Sequence, residues 1–527
     1  MKHIKIGRRS VLMACAGVLA GLVGATVAQA ANAGPAHSEK LLFDGGGGER
    51  LNGITYHSFR IPSLVRTKEN TLIAFVEGRA SNNRDWGNIN VLFKRSTDNG
   101  ATWSALDEVV GAGPGTWGNP TAVADRQTGT IWVFMSWNPA GYSLGGKDGT
   151  TKITAWSHRK VYVSRSTDDG RTWSKPADMT AALKPRTRSN GATWAWDAMG
   201  PGVGIQMSNG RLVIPASHRN IYSDDNGATW KVQRIIDAST GGYQEVTGEG
   251  SVVELMDGRL MRNDRAGGSV WERGKRRWVA RGTIEGGFDT YAPDSTLLDP
   301  RSQGSILRYN RDSPARIIFL NSASTVTRTK MRVRISYDGG KTWPISRPLS
   351  DAPLPSWRGL GDGNWAEGGY SSMAKTADFA VGALIEVNEN THSSATSHRS
   401  IAFRKFNLPW ILNGGTEGGS PNPYTPEEAC GSGYSAINSH ALTGGRIYLL
   451  YNSSNGYNCV VTMKASNVGT PSAVSASLQV EGGTKATDSG NFSYFAGPVK
   501  KHAPGSCVKW GGSIGSSSWE SLYQHCD

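Results

Sequence analysis

Short apolar runs recur along most of the chain at the period of a strand. Asn90-Val91-Leu92-Phe93-Lys94-Arg95, Val161-Tyr162-Val163-Ser164-Arg165, Val381-Gly382-Ala383-Leu384-Ile385 and Arg446-Ile447-Tyr448-Leu449-Leu450-Tyr451 are examples. Runs of this length, with alternating or continuous apolar positions and Gly or Asp at their ends, read as strands. No heptad pattern and no long amphipathic helical stretch appears, so the pattern predicts an all-β protein. One segment departs from it. The stretch from Val11 to about Val27 is continuously apolar, follows Lys2, Lys5, Arg8 and Arg9, and precedes the small-x-small site Ala28-Gln29-Ala30. That is the grammar of an export signal over residues 1–30, with Ala31 as the first mature residue. The Arg8-Arg9 pair suggests twin-arginine export, with Sec export as the alternative and a retained membrane anchor as the competing reading. No other stretch is long and apolar enough to cross a bilayer.

A longer period lies over the short one. Ser-x-Asp-x-Gly-x-x-Trp occurs four times, from Ser96 to Trp103, Ser166 to Trp173, Ser223 to Trp230 and Ser336 to Trp343, each after a strand-like run. The Asp side chain accepts from backbone N–H groups in the turn. Gly supplies positive φ at the tip, and the Trp is expected to anchor the hairpin on its own sheet. These Asp residues are turn formers, not catalysts. The copies stand about 55 to 70 residues apart except the last, and a worn copy is expected around Gly282 to Asp289. This period fits one four-stranded propeller blade. Residues 40–411 have room for six, with Ser400 to Phe406 closing the ring.

The Gly- and Pro-rich run from Asn413 to Pro423 marks a linker, placed at residues 412–427. Residues 428–527 then read as a small separate β domain. All four mature cysteines lie there: Cys430, Cys459, Cys507 and Cys526. An even set in an exported protein predicts two disulfides. Three pairings are open, and Cys430–Cys459 with Cys507–Cys526, which close local loops, is the favoured one. No metal-ligand spacing appears; His392 and His398 read as surface residues. With 67 Gly, 18 Trp and only 19% charged residues, the composition suits a turn-rich β protein. The net charge of +14 includes four charges in the leader. Arg273, Lys275, Arg276 and Arg277 form the densest cluster, which reads as a solvated hairpin loop. No basic stripe supports a nucleic-acid partner.

Phe59-Arg60-Ile61-Pro62 stands just before the first Asp-box strand. Together with four Asp boxes, this motif resembles the bacterial sialidases of glycoside hydrolase family 33, over most of residues 50 to 411. The C-terminal segment resembles the actinobacterial spore-associated proteins. Sialic acid carries a carboxylate on its anomeric carbon, and guanidinium forks suit a carboxylate. The resemblance assigns that task to Arg60, Arg265 (sixteen residues after Glu249) and Arg328. It makes Tyr370 the nucleophile, since a neutral phenol avoids repulsion from the substrate carboxylate, and Glu249 its activating base. Glu245 is the rival for that role, while Glu254 falls within a strand. Asp85 in the loop Glu77 to Gly87 is the implied general acid, then base. Glu386 is implied to orient Arg60, and Arg79 to line the sugar pocket or to form a structural ion pair.

These assignments imply a secreted, monomeric exo-alpha-sialidase. It would release terminal α-linked sialic acid from glycoproteins, glycolipids or oligosaccharides with retention, and need no cofactor or metal. Two classes compete. A sialic-acid-binding lectin would need the arginines but not Asp85, Glu249 and Tyr370 together. A hydrolase or transferase for a related nonulosonic acid would differ in the N-acyl pocket, near Asn119 or Trp117.

Overall fold

The computed structural model describes residues 35–526 apart from 112, 268, 269, 271, 273, 312, 313, 352–366, 388–397, 413–421 and 423. The expected signal segment, Arg273, His392 and most of the expected linker lie outside the described residues. The rest divides into two compact units. One runs from His37 to Asn407, interrupted at 312–314; the other begins at Leu408. Among the described residues no helix is long and apolar enough to cross a membrane.

The larger unit is built of antiparallel sheets. The strands expected from the apolar runs form as Ile89–Ser96, Lys160–Ser166, Val381–Val387 and Ser400–Phe406. Ser58–Arg66, Leu72–Arg79, Ile89–Ser96 and Asp107–Val110 follow one another in hydrogen-bonded order, as do Gly115–Ala124, Ile131–Pro139, Lys160–Ser166 and Ala177–Asp178. A parallel bridge from Ile89 to Thr116 joins these two groups, and with Gly202–Val203 paired to Gly115–Ala124 they make one nine-stranded sheet. Three further sheets take the chain to Pro348. The last sheet is ordered His37–Phe43, Ser400–Phe406, Val381–Val387, Glu367–Lys375, so the first and last strands of the unit pair with each other. Apolar side chains fill the spaces between successive groups of strands, for example Phe75, Val91, Phe93, Ala122 and Val133.

The four boxes sit at equivalent places, each between the third and fourth strands of its group. In each, Asp accepts from the Thr four residues on, and the Ser hydroxyl accepts from the Gly N–H; Asp225 and Ser223 are typical. The turn Ile284 to Gly286, between Arg276–Thr283 and Gly287–Phe288, takes the corresponding position at the worn copy. The Trp residues correct the sequence reading. Trp103 packs on Phe403, Trp173 on Phe75 and Phe93, and Trp230 on Trp132 and Phe134, each in a neighbouring group of strands rather than its own. Trp343 meets a ring, Phe319, within its own group. The hairpin alone offers a Trp too little apolar surface, and the neighbouring sheet supplies the rest.

Innermost strands break their ladders at similar depth. The register shifts between Arg60 and Ser63, between Gly118 and Thr121, and between Glu367 and Ser371. Ile61, Asn119 and Gly369 take positive φ at these bulges. A bulge re-aims side chains, and here it delivers Arg60, Asn119 and Tyr370 to one cleft.

The smaller unit packs two four-stranded sheets around Ile447, Leu449, Val460, Val474, Leu478 and Trp510. Cys430 is bonded to Cys459 and Cys507 to Cys526. Its packed body includes residues that composition placed in the linker. Asn422 donates to the carbonyls of Lys464 and Tyr494, Tyr424 packs on Tyr494 and Phe495, and Thr425 caps the helix Pro426–Cys430.

Candidate active site

A cleft of about 480 Å³ in the larger unit is lined by Arg60, Arg79, Asp85, Glu249, Arg265, Arg328 and Tyr370. These residues lie up to about three hundred positions apart, and every catalytic or carboxylate-binding candidate reaches it. Glu386, fully buried, organises one side. Its carboxylate accepts from Arg60 Nε at 3.0 Å and Nη2 at 3.1 Å, from the Ile61 N–H at 3.1 Å and from the Tyr370 N–H at 2.9 Å. Burial alone would raise its pKa; Arg60 overrides this and brings it down to about 2. Glu386 therefore fixes the Arg60 fork and the Tyr370 backbone together. Gly369 is required beside it, because a Cβ there would overlap the Glu386 carboxylate.

Tyr370 is 5% exposed. Its hydroxyl donates to Glu249 Oε1 and accepts from Arg265 Nη1 at 2.6 Å, while the same nitrogen donates to Glu249 Oε2 at 2.7 Å. Burial keeps the phenol neutral; Arg265 opposes this, and the Glu249 charge reinforces it, so its pKa lies above the ordinary value. The guanidinium groups of Arg328 and Arg60 lie 5.2 and 5.6 Å from the ring centroid. A neutral phenol with a carboxylate on its proton is poised to become a nucleophile as the proton leaves.

Asp85 stands at the mouth. Its carboxylate is 2.9 Å from Arg79 and 3.6 Å from Arg60. The side chain is 68% exposed, though walled by cations. Crowding in the cleft works against its charge, but Arg79 and then Arg60 bring its pKa down to about 2. Arg79 both lines the cleft and forms a structural pair, with Glu77 at 2.6 Å. Glu77, whose role the sequence left unread, also accepts from the Asn119 N–H at 2.8 Å.

The rival carboxylates are engaged elsewhere. Glu245 pairs with Arg234, and Glu254 is buried and binds Ser208. Asn119 lines the cleft, whereas Trp117 packs against Trp137 and Tyr162. Arg159, Arg188, Trp196, His218 and Arg301 also line it; no motif marks them, so sequence offered no signal. Two readings are corrected. Arg277 is not in a solvated loop but fully buried, bonded to Asn263, Asp299 and the Ser302 carbonyl. His398 is not at the surface but 1% exposed, and burial lowers its pKa to about 4 against the opposing charge of Glu386. Among the described residues no group of three His, Cys, Asp or Glu could hold a metal ion.

Residues 111–385 match the BNR repeat-like domain. An exo-alpha-sialidase of Aspergillus fumigatus is 47% identical over 407 residues, covering 73% of this chain and 93% of the relative. Spore-associated protein A of Streptomyces coelicolor is 44% identical over 89 residues, 16% of this chain and 57% of that one. Among solved structures, the Hadza microbial sialidase Hz136 aligns with a TM-score of 0.51 at 26% identity, over 67% of this chain and 66% of that one.

Proposed function

Because the chain belongs to the exo-alpha-sialidases, and is a glycoside hydrolase of that family, we propose that it cleaves terminal α-linked sialic acids from glycoproteins, glycolipids or oligosaccharides with Tyr370 as nucleophile. The single observation that carries this reading is the Tyr370 hydroxyl held between Glu249 and Arg265, with Asp85 at the mouth of the same cleft. Arg60, Arg265 and Arg328 bind the substrate carboxylate. Glu249 takes the phenolic proton as the Tyr370 oxygen bonds to the anomeric carbon. The glycosidic bond breaks, and its oxygen takes a proton from Asp85. Water then attacks the anomeric carbon, giving its proton to Asp85, while the Tyr370 oxygen departs and recovers its proton from Glu249. Two displacements on one carbon retain configuration. Glu386 holds Arg60 and the Tyr370 backbone, and Arg79 holds Asp85.

The nine-stranded sheet reads as two four-stranded blades joined by one bridge, with the short strand Gly202–Val203 added to the second. With the four other sheets of four or five strands in the larger unit, this supports a six-bladed propeller closed by the pairing of its first and last strands. The basic and apolar leader supports export, and we take the mature protein to act outside the cell as a monomer.

The test is release of a fluorogenic aglycone from an α-linked N-acetylneuraminic acid conjugate. Wild type should turn over, and Tyr370→Phe and Asp85→Ala should lose about 10²–10⁴-fold. Folded wild-type protein that releases nothing would sink the reading.

A further inference from the structure

The segment bearing Glu249 is held from behind by a carboxylate that does not face the cleft. Glu249 lies opposite Arg265, whose N–H donates to the Glu249 carbonyl at 2.9 Å; the Gly248 N–H donates to the Arg265 carbonyl at 2.9 Å. Adjacent side chains on a strand point to opposite faces. Arg265 turns into the cleft, and Asp264, at the end of the strand Leu260–Asp264, turns away and is fully buried. Its carboxylate accepts from Thr247 Oγ1 at 3.0 Å and from the Ser251 N–H at 3.3 Å, two residues either side of Glu249. It also accepts from Tyr291 Oη at 2.6 Å and from Arg262 at 2.9 Å.

Arg262 is itself locked, donating to the carbonyls of Arg219 and Ala216 and to Asn220 Oδ1. Its guanidinium fills the space behind Gly250, where a Cβ would collide with it. The Glu249 segment is thus bonded at both ends to one anion and backed by that anion's cation. We infer that Asp264 is a positioning residue for the reaction: through Thr247 and Ser251 it sets the depth at which Glu249 meets the Tyr370 hydroxyl. It touches neither substrate nor reacting atoms. A shift of about 1 Å in such a contact is enough to cost about 10²-fold in rate.

This inference rests on Glu249 being the base, so Glu249→Gln is measured first. Thr247→Val removes one strut and keeps the shape; Thr247→Ser restores the hydroxyl; Asp264→Asn weakens the whole cradle. Expected are a kcat loss of about tenfold in Thr247→Val, recovery in Thr247→Ser and a loss of about 10²-fold in Asp264→Asn. KM and inhibition by free N-acetylneuraminic acid should change by less than kcat falls, because Arg60 and Arg328 stay in place even where Arg265 moves with Glu249. If Asp264→Asn does not fold, the Thr247 pair decides. If Glu249→Gln is inactive but Thr247→Val keeps wild-type kcat, or Thr247→Ser fails to rescue it, the positioning role is overturned and the base assignment stands. If Glu249→Gln keeps wild-type kcat, both fall.

Discussion

Asp85 shows how one residue's chemistry depends on its neighbours' partners. In the free protein, Arg79 and Arg60 keep it ionised to about pH 2, whereas a general acid must carry a proton. A substrate carboxylate on Arg60 both competes for that cation and adds negative charge beside Asp85. In the proposed mechanism each effect favours the neutral acid, so binding should raise the Asp85 pKa. Binding of free N-acetylneuraminic acid should therefore take up a proton at pH values between about 2 and the raised value, and none well above it. Calorimetry in buffers of differing ionisation enthalpy reads that uptake directly. Asp85→Asn should abolish it, and unchanged uptake in that variant would assign the proton elsewhere. The residue types were legible from their motifs: Asp85 from its loop, Arg60 from Phe-Arg-Ile-Pro, Tyr370 after two glycines. The burial of Arg277 and His398 was not, because a basic residue among basic or polar neighbours looks solvated until the strands covering it are known.

At the scale of the element, the box serves the gap between sheets as much as the turn. Gly227 has φ +88°, and a Cβ there would overlap the Trp132 ring of the preceding sheet. Gly227→Ala should then cost strain of about 1–3 kcal/mol and a similar overpacking term. Urea unfolding should show the midpoint falling while KM stays unchanged, since the box lies away from the cleft. A midpoint equal to wild type would mean that the sheets part without cost. The Ser-x-Asp-x-Gly-x-x-Trp spacing made the hairpins readable, because their hydrogen bonds are local. It gave the Trp no direction, because the surface it meets belongs to a strand scores of residues away.

Across the whole molecule, the two units divide the labour. All cleft residues belong to the larger unit, and both disulfides to the smaller. Replacing Cys430 and Cys459 together by Ser frees a loop spanning 29 residues and should cost about 3 kcal/mol. Scanning calorimetry should show one transition lowered and the other unmoved, with turnover at moderate temperature equal to wild type. Turnover falling in step with the lowered transition would tie the smaller unit to catalysis.

What the sequence determined by itself was whatever short-range chemistry encodes. The strand period, the box turns and the residue types gathered at the cleft all follow from neighbours within about ten positions. What the tertiary structure decided was convergence. Glu386 reaches back 326 positions to Arg60, and Glu249 meets Tyr370 across 121. Such contacts depend on the order of sheets and on bulges that re-aim inner strands, and no local pattern carries them. The cradle at Asp264 lies beyond sequence reading for the same reason: Arg262 is close along the chain, but Ser251, Thr247 and Tyr291 are 13, 17 and 27 positions away and meet it only when the strands fold together.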